Sequence, residues 1–379
     1  MELMMKKRIC IMTVFLPREN IFFLEEWLKY HIVVGFNHFY LYNNMGSQTL
    51  KGLKGKNNNL EVNGKNKHGH DVYALLKHKS DDEVQQDLQK ILDPFIKNGY
   101  VTHIPWQPRD SNGNIMYAQG QAMIDYTEKY SQNDDWVSII DMDEFIFPIK
   151  HDSVQKLVKQ FEQDGITYIT MPHACFPSRF DSNSQPVKEV LKLFKRADFI
   201  AHDFGYKTII KSDTLMVGGY GNMHNPPVYQ KLTKSTKAKG LVRFNHYRYN
   251  EVARNYAHSL IGREVRWDLV DDSIMRFYDK VRHFEIKNYL QTVDDYKPKQ
   301  NKNWQLHWLD DQPMLFSKFH EGLHLLNPVA GFIWTCCDGK TEVGAIREAL
   351  QDVFAENQED VTKDLSNILK LCQENELLI

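Results

Sequence analysis

The sequence predicts an α/β fold followed by a small, mainly helical domain. Its 379 residues exceed what one compact core usually holds, so two domains are expected. Along residues 1–300, short apolar segments alternate with segments of helical periodicity, as is typical of an α/β sheet. Three short amphipathic segments close the chain and predict a separate small domain.

The first elements follow the order strand, helix, strand. Residues 8–16 are apolar, end at Pro17 and predict a buried strand. The next segment predicts a helix, for which Gly35 is a suitable C-terminal cap. Residues 38–44, HFYLYNN, predict a second strand. The apolar face of the helix consists of Leu24, Trp27, Leu28, His31 and Ile32.

The middle of the chain continues this alternation. Residues 46–70 are rich in Gly, Asn and Lys and predict an exposed, flexible insertion. The patterns beyond it predict helices over 81–98 and 115–130, strands over 100–106 and 136–140, and further strands in ITYITMP, YKTIIK and LVRFNHYR.

The last segment begins with a clear helix start. Asn327 suits an N-cap and Pro328 the first helical position. Two more helices are predicted after Thr341, and the polar residues 294–303 are a plausible junction before this module. The apolar faces are Ala330, Ile333, Trp334 and Cys337, then Val343, Ile346, Leu350 and Val353, then Val361, Leu365, Ile368, Leu369 and Cys372.

Composition excludes several classes of protein. A net charge of −2 leaves no global basic footprint for nucleic acid or an anionic membrane, and no apolar run approaches the length that spans a bilayer. The N-terminal apolar run is better explained by a strand than by a signal peptide, since it lacks a small-residue cleavage site. The five cysteines form no CxxC pair. A cytoplasmic protein is expected.

Two carboxylates follow the apolar strand 136–140. Asp141 and Asp143 lie where ligands bind in open α/β sheets, beyond the carboxyl ends of the strands. Residues two apart in an extended chain share a face, so both can converge on one ion. Hard oxygen ligands suit Mg²⁺ or Mn²⁺, which also bind phosphate oxygens. The alternative is a polar strand-to-turn junction capped by Asp.

Several segments together resemble a bacterial glycosyltransferase family. LEEWLKYHIVVGFNHFYLYNN (24–44) and DWVSIIDMDEFIFP (135–148) are similar to GT-A enzymes related to families 2 and 92, and YKTIIKSD, GNMHNP and RFNHYR match in order. The resemblance covers residues 8–265. It implies a Rossmann-like mixed sheet of the GT-A fold over residues 1–300, a nucleoside-diphosphate sugar donor (UDP-sugar favoured), a Mn²⁺ or Mg²⁺ ion and inverting transfer.

Site residues follow from this resemblance and from side-chain chemistry. Asp141 and Asp143 are expected to bind the metal, with either His224 or His246 as the third ligand. The catalytic candidates are Asp141, Asp143 and Glu189, and no base is assigned because Lys192 replaces a family acid. Glu144 is expected to point away from Asp143 and to anchor the strand. The candidates for binding the nucleotide sugar are Thr13, Arg18, Asn43, Asn44, Gln121, Asp125, Lys207 and Arg248.

Some features leave alternatives open. Asn43 replaces an acid that in the family often contacts the base, so the choice of nucleotide is open. The basic run KLTKSTKAKG (231–240) is either a solvated loop or a mobile lid over the donor. A catalytically silent adaptor would keep the same fold. A nucleotidyl- or phosphotransferase would use the same aspartates, but the chain has no Gly-rich phosphate loop.

The final segment resembles a PqqD-type domain. LNPVAGFIW and DGK at its start, EDVTKDL and the closing NELL carry the match over residues 312–379. That family is a small winged-helix module, and the resemblance implies that it binds a leader peptide by β-augmentation. Two acceptors are therefore considered. One is a peptide recruited by this domain; the other is a glycan such as a cell-surface polysaccharide, with the domain as a structural or dimerisation appendage.

Overall fold

The computed structural model shows two compact units. The larger is Lys7–Ile286 and the smaller contains Lys287–Ile379. The structure describes residues 8–46, 76, 78–181, 183, 185–202, 205–219, 221, 224–249, 254, 257–258, 261–286, 297–317, 323–354, 361, 365, 368–369, 371–372 and 377–378. The predicted insertion at 46–70 lies outside these residues, apart from its first position.

The larger unit contains thirteen described strands. They are β1 (Ile9–Phe15), β2 (His38–Asn43), β3 (Val101–Pro105), β4 (Trp136–Ile139), β5 (Glu144–Pro148), β6 (Tyr168–Met171), β7 (His173–Pro177), β8 (Lys195–Arg196), β9 (Ile200–Ala201), β10 (Lys207–Lys211), β11 (Ser235–Lys237), β12 (Val242–Tyr249) and β13 (Leu269–Val270). Its described helices are α1 (Pro17–Asn20), α2 (Leu24–Val33), α3 (Asp81–Lys97), α4 (Gln119–Lys129), α5 (Val154–Gln163) and α6 (Tyr278–Arg282).

A seven-stranded mixed sheet is the centre of this unit. Its strand order is β11-β6-β10-β4-β1-β2-β3. Strands β4, β1, β2 and β3 run parallel to one another, and β10 runs antiparallel to both β4 and β6. The carboxyl ends of β1, β2 and β4 therefore meet at one edge. The predicted α/β class with a mixed sheet is confirmed.

The predicted first helix is divided into two in the structure. Pro17 opens α1, and the Asn20 side chain accepts the N–H of Leu16 at 2.9 Å, which closes a single turn before α2 begins at Leu24. The five apolar residues predicted for the helix face are all buried. Gly35 follows α2 with φ of +112°, a backbone conformation that favours glycine.

A second sheet lies beside the first and has the order β5-β12-β7-β9. β12 is antiparallel to β5 and parallel to β7. β5 is an edge strand of this sheet. The basic run 231–240 contributes β11, which pairs with β6 at the edge of the central sheet. Part of the run is therefore a strand, which differs from both predicted alternatives, a solvated loop and a mobile lid.

The smaller unit combines a sheet with helices. An antiparallel sheet in the order β14-β15-β16 precedes α7 and α8, and the core of this unit also includes Val361, Leu365, Leu369, Cys372, Leu377 and Leu378. The Asn327 side chain accepts the N–H of Ala330 at 2.7 Å, and Pro328 is the first residue of α7. The elements are β14 (Trp304–Leu309), β15 (Gln312–Ser317), β16 (Leu323–Leu325), α7 (Pro328–Cys336) and α8 (Val343–Phe354).

No helix among the described residues is long and apolar enough to cross a membrane.

His38 should make stability depend on pH. Burial, with Arg8 nearby, lowers the pKa of His38 to about 3, while its ring nitrogens meet the Gly99 carbonyl and the Thr102 hydroxyl. An unfolded histidine titrates near 6.5, so the unfolded chain binds more protons between these values. We expect stability to fall as pH drops through this window, by about 1.4 kcal/mol per unit from His38.

The measurement is urea unfolding from pH 7 to pH 4.5 for the wild type and His38→Gln. The variant should be less stable at pH 7 and show a shallower decline below it, because glutamine does not titrate. Parallel curves for the two proteins would contradict the assignment.

Candidate active site

The two predicted aspartates lie in the turn between β4 and β5. The backbone N–H of Asp141 donates to Glu144 Oε2 at 2.9 Å, and the N–H of Glu144 donates to the Asp141 carbonyl at 3.1 Å. These reciprocal bonds close the turn. The carboxylates therefore extend from a fixed turn at the sheet edge.

Asp143, Glu144 and His246 form the group that could hold a metal ion. One potential ligand atom from each lies within 4.8 Å of the others. His246 Nε2 is 3.5 Å from Asp143 Oδ2 and 3.8 Å from Glu144 Oε1. The strand register explains the placement, because His246 on β12 pairs directly with Glu144 on β5. We call this group of potential metal-donor side chains, Asp143, Glu144 and His246, the donor cluster.

Asp141 lies beside the donor cluster but binds other partners. Its Oδ2 is 3.1 Å from Lys207 Nζ, and its Oδ1 accepts from Gln119 Nε2 at 3.0 Å. Lys207 also lies 3.1 Å from Glu144 Oε2 and is 0% exposed. Ala118, just before Gln119, adopts a left-handed φ of +48°, a strain that is common near functional sites.

Burial and neighbouring charge shape the protonation of the cluster. Burial, opposed by Lys207 and reinforced by Asp141 and Asp143, raises the pKa of Glu144 to about 8. Burial opposes the charge of Asp143, but the adjacent His246, followed by Arg179 and Arg248, holds its pKa well below the usual range. Burial lowers the pKa of His246 to about 4. A neutral imidazole is the form that binds metals.

Arg179 binds the backbone of the β4–β5 turn. Its guanidinium donates to the Met142 carbonyl at 2.9 Å, lies 3.7 Å from Glu19 and stacks over the Phe23 ring at 4.6 Å. It is only 2% exposed. Since Met142 separates the two aspartates, this bond holds the backbone of the turn from which both side chains extend.

Helix α2 fixes the free edge of β5. Trp27 Nε1 donates to the Glu144 carbonyl, and the Tyr30 hydroxyl donates to the Ile146 carbonyl, both at 2.9 Å. His31 Nε2 accepts the Ile146 N–H at 3.2 Å. Alternate residues of a strand direct their backbone groups to the same edge. The backbone groups of Glu144 and Ile146 at this edge therefore form hydrogen bonds with side chains of α2 instead of with a further strand.

The predicted site residues divide into two sets. Asp141, Asp143, Lys207 and His246 meet at the turn, and Arg248 lies close enough to act on the pKa values of Asp143 and His246. His224 is exposed and meets the Tyr206 carbonyl at 2.9 Å, and it lies close enough to Lys207, Asp141 and Arg248 for their charges to act on its pKa. Of the two candidate histidines, His246 is the one in the donor cluster.

The other candidates have their described contacts elsewhere. Arg18 pairs with Asp81, and Asn43 donates to Gln85. Asn44 donates to two loop carbonyls. Asp125 accepts a hydrogen bond from the Tyr42 hydroxyl and pairs with Lys129. The side chain of Gln121 is exposed, and that of Thr13 is buried. Glu189 accepts from Tyr278 at 2.5 Å and pairs with Lys192 at 2.6 Å; neither contact joins it to the donor cluster.

Three residues of the site were missed or misplaced by sequence reasoning. Glu144 was expected to point away from Asp143, but it belongs to the same cluster. Gln119 and Arg179 were not proposed at all. Gln119 starts α4 two residues before the proposed Gln121, so helix position gave a partial signal. Nothing in the local pattern around Arg179 indicated its role.

Comparisons with solved structures gave weak likenesses. TbiB1 in complex with the TbiA(beta) leader peptide is 21% identical, with 21% of this chain and 93% of that chain covered at a TM-score of 0.20. An apo UDP-glucose pyrophosphorylase is 7% identical, with 67% and 99% covered at 0.28. TarS from S. aureus is 10% identical, with 84% and 60% covered at 0.25. At these TM-scores the likenesses support no inference.

The matches to family models are more informative. A search of curated proteins gave no match. Residues 319–378 match the model of coenzyme PQQ synthesis protein D, PqqD. Residues 80–296 match the model of glycosyltransferase family 92, and this segment contains Asp143, Glu144 and His246. Since this match covers more than half of the sequence, the chain belongs to glycosyltransferase family 92.

Proposed function

We propose that the chain transfers a sugar from a nucleoside-diphosphate sugar, with UDP-sugar favoured, to an acceptor hydroxyl, with a divalent cation and inversion at the sugar. The observation that carries the proposal is the donor cluster at the β4–β5 turn of a family 92 chain, in which Glu144 and His246 are buried and Asp143 is half-buried. Two carboxylates and an imidazole fit Mn²⁺ better than Mg²⁺, which prefers oxygen ligands alone.

The chain's own residues supply most of what such a transfer needs. A bound Mn²⁺ would offset the charge that develops on the diphosphate as the glycosidic bond breaks. Asp143, Glu144 and His246 would hold it. Arg248 carries a positive charge near the cluster and suits the phosphate oxygens. No base is assigned, because the described contacts of Glu189 lie away from the cluster.

A donor panel tests this function. Purified protein is titrated calorimetrically with UDP- and GDP-sugars in Mn²⁺, in Mg²⁺ and after chelation of metals. We expect one UDP-sugar to bind in Mn²⁺ and to be hydrolysed slowly without an acceptor. Binding without hydrolysis would favour the silent adaptor. No binding of any donor under any condition would contradict the proposal.

We also propose that the acceptor is a peptide recruited by the smaller unit. The match to PqqD supports this, as does the edge of β16, with which no described strand pairs on its outer side. Leu326 donates its N–H to the Pro313 carbonyl at 2.9 Å. Because strand residues alternate, Leu323 and Leu325 direct their backbone groups to the outer edge. An added peptide strand would bond there.

Leu325→Pro should block this edge. Proline removes the outward N–H without removing a bond to β15, whereas Leu325→Ala shortens the side chain and keeps the N–H. Peptides selected from a displayed random library on the full chain should bind the wild type and Leu325→Ala similarly, and Leu325→Pro at least about tenfold more weakly. Equal binding to all three, or no selected peptide, would favour a glycan acceptor.

A cytoplasmic location is part of the proposal. All five cysteines have free thiols, including Cys337 and Cys372 in the core of the smaller unit. Free thiols are usual in a reducing compartment.

A further inference from the structure

The carboxylate of Glu144 has a different partner at each oxygen. Its Oε1 lies 3.8 Å from His246 Nε2, and both residues belong to the donor cluster. Its Oε2 lies 3.1 Å from Lys207 Nζ. The same ammonium group lies 3.1 Å from Asp141 Oδ2. Lys207 therefore binds one carboxylate of the donor cluster and one carboxylate outside it.

Lys207 is a fixed positive charge. Its side chain is 0% exposed, and it lies on β10 between β4 and β6. The ammonium group therefore cannot turn away from the cluster into solvent. It lies 3.1 Å from a carboxylate oxygen of Asp141 and 3.1 Å from one of Glu144. A cation held by Glu144 would therefore share that carboxylate with a permanent ammonium group.

We infer that Lys207 competes electrostatically with the divalent cation, so that the donor cluster binds metal weakly until a nucleoside diphosphate brings further negative charge. This inference rests on the proposed function and adds that the metal and the diphosphate bind together, because each needs the charge of the other. Arg179 and Arg248, which act on the pKa of Asp143, add to the positive charge that a bare metal ion meets. By linkage, the diphosphate raises metal affinity by the factor by which metal raises diphosphate affinity.

The experiment compares Mn²⁺ binding to the wild type, Lys207→Met and Lys211→Met, each with and without UDP. Lys211 lies on the same strand but pairs with Asp213 at 2.9 Å near the surface, so Lys211→Met is the matched control. Removing a unit charge a few Å from a divalent ion should raise Mn²⁺ affinity at least about tenfold without UDP. The gain in affinity that UDP causes should shrink in Lys207→Met and stay unchanged in Lys211→Met.

A charge-balanced variant covers the case in which Lys207→Met folds poorly. Losing Lys207 leaves two acidic groups near each other without their cation, which destabilises the turn. The double variant Lys207→Met/Asp141→Asn removes one negative charge as well and keeps all three residues of the donor cluster. It too should bind Mn²⁺ more tightly than the wild type, but by less than Lys207→Met because a negative charge is lost with the positive one, and Mn²⁺ should raise its unfolding temperature more.

Two failures are distinguishable. If both Lys207 variants bind Mn²⁺ no more tightly than the wild type, while UDP still binds with Mn²⁺, Lys207 is only a structural partner and the inference is wrong. If no variant binds Mn²⁺ with or without UDP, the metal-dependent function itself is wrong, and the inference with it.

Discussion

Asp143→Asn is expected to abolish Mn²⁺-dependent binding of the donor and to reduce donor hydrolysis on the order of a thousandfold. Asp143 is the member of the donor cluster nearest His246, at 3.5 Å, and His246, Arg179 and Arg248 hold its pKa well below the usual range. The amide keeps the shape of the side chain but removes the charge that would hold the cation. Calorimetry with Mn²⁺ and UDP-sugar measures the first effect, and initial rates of donor hydrolysis measure the second.

The matched control is Asp152→Asn. Asp152 is an exposed aspartate that pairs with Lys156 at 3.0 Å, four residues along, and it lies outside the cluster. Its substitution should leave donor binding and hydrolysis unchanged. Full Mn²⁺-dependent binding by Asp143→Asn would show that the cation, if it acts at all, is held elsewhere.

The spacing of the acidic motif predicted the site but not its internal geometry. Residues two apart share a face only while the chain is extended. β4 ends at Ile139 and β5 begins at Glu144, so Asp141 and Asp143 lie in the turn between them, where that rule does not hold. Asp141 faces Lys207 and Gln119, and Asp143 faces His246. The sequence could indicate that the carboxylates gather at the edge, but strand register decides which of them meet.

The helix motif of α2 illustrates the same limit. Apolar periodicity correctly predicted that Trp27 and His31 are buried. It did not show what their polar atoms bind, because the partners on β5 are more than a hundred residues away in the chain. An amphipathic pattern reports which face is covered; it does not report that the covering element is an edge strand whose backbone needs partners.

Arg179→Lys should have the second largest effect, although the change keeps the charge. A lysine presents one compact ammonium in place of a planar fork, so it does not reach Met142, Glu19 and the Phe23 ring together. The site is almost fully buried, so the lost bonds are not replaced by water. We expect the free energy of unfolding to fall by about 3 kcal/mol and the affinity for Mn²⁺ with UDP to fall as well.

The control for Arg179 is a second arginine whose ion pair is exposed. Arg263 has a half-exposed side chain and lies 3.1 Å from Asp198, so Arg263→Lys should leave both the unfolding free energy and the Mn²⁺ affinity within error. The comparison separates two roles for Arg179. If stability falls while Mn²⁺ affinity with UDP is unchanged, Arg179 only supports the fold. If both fall together, the bond to the Met142 carbonyl sets the orientation of Asp143, and the turn owes its metal-binding geometry to a residue that no local sequence pattern indicates.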